Sequence, residues 1–385
     1  MPSSLLVLGG IFATGLLGVA TPASAQLQIS GQADLIAKAG TDRLGLNRNF
    51  RGDGSFNEMR VRLFARRWIT EHIGVFAEFL FDIDAQPRLQ GAYLVLNELG
   101  DLEWLNARIG LAPPLIGNFG LRSTYFNTNP LTGVPMVWQH RTTLDLEGTA
   151  SNEDLVARKA SNQRALPMLY ETCWNIQWEI LGEIGRFEYS LGVTPGSLSN
   201  PLTSRGDDGI QVLARVGIEP TLGFRIGASA AVGPYIGRAQ SARDTPSSFP
   251  GSPTDYVQRL VGYDFEYSRG KVRIFSEAYW NSWEAPLVTE LLKMWGGYAE
   301  ARYDIAPGLF ASARYGRLWF GDISATSDGL GERVKWDDEV WRWEAALGYR
   351  LIREILVKLD WQHTEFVTGG NAALNLLALQ LSAVF

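Results

Sequence analysis

Arg60, Arg62 and Arg66 occupy same-parity positions of one short segment, interleaved with the apolar Met59, Val61 and Leu63. A guanidinium presents a planar fork of N–H donors that matches two oxygens of a carboxylate, a phosphate or a similar oxyanion. Three forks on one face of an extended segment make a surface suited to anions. Arg108 stands alone in a later segment of the same kind. Arg122 and the cluster His140, Arg141 and Asp145 fall within a long stretch that lacks strand periodicity.

Catalytic chemistry has a thinner basis. A nucleophilic pair needs a histidine within hydrogen-bond reach of a hydroxyl or thiol and a third group to orient it. His72 falls in a short turn and His363 near a strand end, so only His140, beside Thr142, Thr143 and Asp145, has suitable neighbours. It reads as a polar loop residue rather than a base, and no G-x-S-x-G elbow accompanies it. The three histidines are too scattered for metal-ligand spacing, and no cofactor is expected. A net charge of −6 argues against a nucleic-acid partner, and the single Cys173 allows no internal disulfide.

Strands must position these residues. In Val272–Asn281, Val272, Ile274, Ser276, Ala278 and Trp280 alternate with Arg273, Phe275, Glu277, Tyr279 and Asn281. Trp341, Trp343, Ala345, Leu347 and Tyr349 alternate likewise with Arg342, Glu344, Gly348 and Arg350. Period-two segments of this kind number about sixteen, and they run about ten to thirteen residues, the length that crosses a bilayer at a tilt. The fold class is therefore all-β: a transmembrane antiparallel β-barrel of about 16 strands.

The connections alternate in length. Short turns are expected at Thr70–His72, Leu99–Asp101, Gly182–Gly185, Pro220–Gly223, Arg269–Gly270, Ala306–Gly308 and Ile352–Glu354. Longer polar loops are expected at Ala39–Phe56, Pro195–Asp208, Pro234–Asp255, Trp283–Leu292, Gly321–Asp338 and Val367–Ala373. Trp280, Trp283, Trp295, Trp319, Trp341 and Trp361 fall toward the loop side, as an aromatic girdle would. By alternation the inward set holds Arg60, Arg62, Arg66, Arg88, Arg108, Arg225, Arg273, Arg302, Arg314 and Arg342. It also holds Glu78, Asp82, Glu171, Glu266, Glu277, Glu300, Glu344 and Asp360.

Both ends of the chain fit export to a membrane. Met1 to Ala33 carries no charged side chain, Leu5 to Ala20 is apolar, and Ala23-Ser24-Ala25 is an A-x-A site, so 1–25 reads as a leader and 26–385 as one barrel domain. Leu377, Leu379, Leu381, Ala383 and Phe385 share one face of a last strand that stops on an aromatic residue. This ending resembles the carboxy-terminal signal of bacterial outer-membrane barrels, which implies that location and contact with membrane lipids.

The longest connection, Ala112 to Pro167, follows the fifth expected strand, and its first half, through Trp138, is too apolar to stay in solvent. Its place matches the third external loop of sixteen-stranded porins, and the chain as a whole resembles that family. Ala92-Tyr93, Arg108–Pro114 and Phe119-Gly120 loosely resemble the phosphate-selective porins. That family uses clustered lysines, whereas Lys38, Lys159, Lys271, Lys293, Lys335 and Lys358 are dispersed here. The resemblance implies a homotrimer, with 112–167 folded inward to narrow a pore. Arg60, Arg62, Arg66, Arg108, Arg122, His140, Arg141 and Asp145 would then line the pore or its constriction. The expected activity is passive diffusion of small hydrophilic solutes or anions with mild anion preference. A segregated field would require acids on the insertion, Asp145, Glu147, Glu153 and Asp154, opposite basic wall residues. Its counterpart is a set of charges that simply pair across neighbouring strands. A plugged structural or adhesive barrel and an outer-membrane hydrolase are the alternative activities.

Overall fold

The computed structural model describes residues 26–41, 47, 55–83, 85–114, 116–120, 129–145, 148, 150–158, 165–170, 174–200, 209–236, 250–368 and 372–385. The expected leader 1–25, together with Arg122, Glu147, Lys159, Glu171 and Cys173, lies outside the described residues.

Sixteen antiparallel strands close into one barrel. They are β1 Gln28–Gly40, β2 Met59–Trp68, β3 Ile73–Asp82, β4 Ala85–Leu96, β5 Asn106–Ala112, β6 Asn175–Ile184, β7 Phe187–Thr194 and β8 Gln211–Thr221. There follow β9 Phe224–Pro234, β10 Val257–Arg269, β11 Val272–Ala285, β12 Val288–Ala306, β13 Leu309–Phe320, β14 Val340–Ile352, β15 Ile355–Phe366 and β16 Leu374–Val384. Each pairs with its sequence neighbour, and β1 closes on β16 from Gln32↔Val384 to Gly40↔Leu376. Closure removes the unpaired edges that a bilayer would not tolerate.

The alternation of β14 is physical as well as sequential: Arg342, Glu344 and Ala346 are buried, whereas Trp343, Leu347 and Tyr349 are exposed on the outer wall. In a single barrel the buried face is the interior and the apolar exposed face is the one that meets lipid. Among the described residues no helix is long and apolar enough to cross a membrane, so strands form the wall. At the seam the Phe385 ring lies where a side chain on Gly31 would be, and Gly31 and Phe385 exchange backbone hydrogen bonds of 2.7 and 3.0 Å. Only glycine permits that approach.

The expected short turns all fall at one end of the barrel, several reduced to two residues with glycine at positive φ, as at Gly270 (φ 60°). At the other end one expectation fails. Trp283 to Leu292 is not a loop: β11 and β12 run on through it and turn at the two residues between Ala285 and Val288. Trp283 shares the inward parity of Tyr279 and Asn281 and stays in unbroken register with Leu292, so it is fully buried against Trp336. It leaves the girdle. Trp280, Trp295 and Trp319 stay on the outer wall in direct register, and Trp361 is exposed there too.

Residues 113–174 connect β5 to β6, so the strands bound the insertion later than the sequence pattern suggests. The insertion contains a strand pair, Arg141–Asp145 with Ala165–Pro167, and a single-turn helix, α1 (Asn152–Val156), capped by Ser151 and Asp154. Its Ile116, Phe119, Met136, Trp138, Leu144 and Met168 share one buried apolar cluster with Leu260, Tyr279, Leu292, Met294, Leu318 and Phe320 of the wall.

Candidate functional site

Three polar anchorages fix the insertion inside the barrel. The first is Glu277 on β11. One carboxylate oxygen accepts the Asn118 and Phe119 amides at 2.6 and 2.8 Å, and the other accepts the Trp138 indole N–H at 2.6 Å. Gly117 precedes these donors at φ 62°, and a Cβ there would collide with the Tyr279 hydroxyl and the Glu277 carboxylate. The Gly117 amide donates to Ser229 Oγ (3.1 Å) on β9, and the Asn118 side chain donates to the Phe265 carbonyl (3.3 Å) on β10.

The second anchorage lies across the lumen. The Thr132 amide donates to Asp360 (2.6 Å) on β15 and its hydroxyl to Gln380 (3.0 Å) on β16. Lys358 Nζ donates to the Leu131 carbonyl at 3.2 Å. On β13, Arg314 donates to the Gly133 carbonyl (2.6 Å) while forking onto Glu344 (2.6 and 2.8 Å) and reaching Glu300 (3.0 Å). These groups are buried. The insertion therefore spans from β9–β11 to β13–β16 and uses the interior charges as its sockets.

The third joins the insertion to residues 321–339 between β13 and β14. The Thr143 amide donates to Asp337 (2.8 Å), Arg158 pairs with Asp338 (2.6 Å), and the Asn152 side chain donates to the Ser324 carbonyl (2.8 Å). Burial, with Asp338 alongside, raises Asp337 from the usual 3.8 to about 7. Burial, then the nearby Arg342 charge, lowers His140 from the usual 6.5 to about 3. The two groups pull in opposite directions. Asp337 holds an extra proton in the seated state, so its contribution is full below about pH 4 and is lost as pH rises through about 7. His140 stays neutral when seated, so its contribution is present above 6.5 and is lost as pH falls toward about 3.

Two variants should separate them. In Asp337→Asn, seating weakens on acidification below about pH 6.5; in His140→Gln, seating strengthens as pH falls from about 7 to about 4. Protease nicking of the insertion against pH measures both, and identical slopes in the two variants would refute the assignment.

The residues singled out from sequence scatter over this interior. Arg60 and Arg62 point inward on β2 but are buried, Arg62 against Glu78 at 2.9 Å and Arg60 at 3.9 Å from Asp34. Arg66, nearer the short-turn end, is half-buried and donates to Gln28 (2.6 Å). Arg108 holds Glu179 at 2.6 Å and also donates to the Pro113 carbonyl, where the insertion begins. His140 and Arg141 are buried in the insertion, Asp145 half-buried, and neither His140 ring nitrogen has a hydrogen-bond partner among the described residues. Two of the insertion's acids have other partners: Glu153 accepts from Ser327 (2.6 and 2.8 Å), and Asp154 caps α1 at Ser151. Wall arginines pair instead with wall acids, as Arg215 does with Asp264 (2.8 Å). Toward the short-turn end these pairs open to water, Arg225 with Glu219 at 3.2 Å and Arg302 with Asp304 at 2.8 Å.

Glu277, Arg314 and Lys358 were recognisable as charged residues, and alternation placed the first two inward. Their role as sockets was not recognisable, because the partners are backbone groups more than a hundred residues away. Gly117 was the available signal, a glycine next to Asn118 in the mostly apolar stretch Pro113–Gly120.

A closed, sixteen-stranded wall, apolar outside and charged inside, with a long segment seated in its lumen, defines a bacterial outer-membrane barrel of porin-like fold. Solved structures agree. A loop-deletion variant of OmpT, an outer-membrane protein of Vibrio cholerae, superimposes with a TM-score of 0.58 at 11% identity, covering 94% of this chain and 100% of that one. The outer-membrane channel DcaP of Acinetobacter baumannii gives 0.55 at 13% identity over 93% and 97%. An anion-selective porin from Comamonas acidovorans gives 0.55 at 8% identity over 94% and 99%. No family model matches the sequence, and no curated protein matches it either. At these identities the likeness is one of fold.

Proposed function

We propose that this chain is an outer-membrane channel, not an enzyme, that passes small hydrophilic solutes by diffusion, with residues 113–174 as its constriction. The observation that carries this reading is the seating of the insertion on interior charges at Glu277 and at Arg314–Asp360, which leaves partly hydrated charge pairs toward the short-turn mouth. Fixed charges and pore width together select what passes. The anion preference would rest on arginines that water reaches, Arg66, Arg225, Arg273 and Arg302, more than on the buried Arg60, Arg62 and Arg108. Fold likeness to a described channel and to an anion-selective porin is consistent with this, and the homotrimer is carried over from the family resemblance.

A plugged barrel is the second reading, favoured by the apolar cluster that the insertion forms with Leu260, Met294 and Leu318 of the wall. Planar-bilayer recording on purified protein distinguishes the two. Stable single-channel conductance with a reversal potential on the anion side is the expected result. Cation preference would reject the arginine assignment alone, and silence from folded protein would establish the plug.

A further inference from the structure

The connection between β1 and β2 is not wholly external. Phe56 is 1% exposed and packs on Ile36, Leu376 and Ala378, which lie on the inward parity of β1 and β16. Beside it the Asn57 side chain donates to Asp82 on β3 (2.7 Å). Asn47, also 1% exposed, reaches past β16 to the next two strands. Its Nδ2 donates to Gln362 Oε1 on β15 (3.1 Å), and its Oδ1 accepts from Arg342 Nη1 on β14 (3.2 Å). Its backbone carbonyl accepts Gln139 Nε2 of the insertion (2.6 Å) and the Ser55 amide (3.3 Å). A loop withdrawn from water must find partners for its polar groups, and Asn47 finds them on the wall, on the insertion and within its own connection. The side-chain bonds can run in one direction only. Arg342 offers donors alone, and Glu344, paired with Arg314 and taking Gln362 Nε2 at 3.1 Å, offers acceptors alone, so the orientation of both amides between them is fixed.

We infer that the connection between β1 and β2 supplies a second face of the constriction, and that Asn47 is the residue that positions Gln139 and the Arg342 guanidinium there. Pore width and fixed charge select what passes, and Asn47 acts on both, on width through Gln139 and on charge through Arg342. Its amide oxygen is a neutral acceptor, as is Thr364 Oγ1 at 2.9 Å, so the pair sets the direction of the guanidinium without cancelling its charge. The effect on permeation rests on the channel reading; the inward seat itself does not, and a plugged barrel would share it.

The test places a reporter thiol at the buried Ser55, as Ser55→Cys in a Cys173→Ser background. Ser55 Oγ makes no hydrogen bond among the described residues, so the exchange removes none. Labelling of the folded, reconstituted barrel by a hydrophilic maleimide is followed alongside planar-bilayer recording. With Asn47 in place the thiol should be protected. Asn47→Leu, of similar size, can bond neither Arg342 nor Gln362. It should speed labelling about ten- to hundredfold, from the loss of two buried hydrogen bonds, one of them to a charged group. It should also raise conductance while keeping the anion preference. Asn47→Asp meets Arg342 with a full charge and should move the reversal potential toward cations, a shift that a purely structural residue would not give. Fast labelling with Asn47 in place, or equal rates with and without it, overturns the inward seat. Equal reversal potentials for Asn47→Asp and wild type overturn the hold on Arg342. The expected labelling with no conductance from any of the proteins would overturn the channel reading and leave the inward seat standing.

Discussion

Glu277→Ala should give a larger single-channel conductance than the wild-type barrel. The wild-type carboxylate is fully buried and satisfies three donors of the insertion, the Asn118 and Phe119 amides and the Trp138 indole. Removing one partner of a buried charged network costs on the order of 3–5 kcal/mol, because the remaining polar groups lose both protein and water partners. That shifts the balance between seated and released insertion by about two to four powers of ten. The barrel persists, since β11 keeps its complete hydrogen-bond ladders to β10 and β12. Glu277→Gln retains one acceptor but turns an amide N–H₂ toward donors, so its conductance should fall between wild type and the alanine variant. Single-channel recording, paired with protease nicking between Gly117 and Trp138, reads the result. A variant with wild-type conductance and a protected insertion would refute the socket.

The wall was legible in the sequence because a bilayer imposes a strict rule on it. Trp343, Leu347 and Tyr349 must face lipid, so their parity alone orients β14. The rule lapses where the strands project beyond the bilayer. Pro286 and the acids Glu284 and Glu290 read as a loop, yet β11 and β12 continue up to a turn at 286–287, since there the outward face need not be apolar while Trp283, Ala285, Val288 and Leu292 still pack inward. It lapses again in the interior. Met294 and Leu318 point inward, against the expectation of a hydrated lumen, because the insertion brings Met136 and Trp138 to cover them. Alternation could place Arg60 and Arg62 inside but could not say that Asp34 and Glu78 would meet them there. Pairing is a property of register between strands, and the sockets depend on segments more than a hundred residues apart.

Arg314 is the position at which that pairing should matter most for stability. Its guanidinium separates two buried carboxylates on the flanking strands, Glu300 of β12 at 3.0 Å and Glu344 of β14 at 2.6 Å, and still donates to the Gly133 carbonyl. Arg314→Ala leaves both acids buried without their shared cation, and Gln362, which donates to Glu344 at 3.1 Å, supplies only a neutral N–H. The expected cost is on the order of 3–5 kcal/mol, lowering the apparent thermal midpoint at a fixed heating rate by roughly 5–15 °C. Arg314→Lys keeps the charge but not the fork, so it should recover part of the loss. Arg314→Met combined with Glu300→Gln and Glu344→Gln removes the charges together and should recover most of it, since replacing a whole buried ionic group by neutral groups is often near neutral. Heat-induced gel shifts of the four proteins report the order. An alanine variant as stable as wild type would show that water already solvates these carboxylates, and with it that the passage runs through this part of the lumen rather than past it.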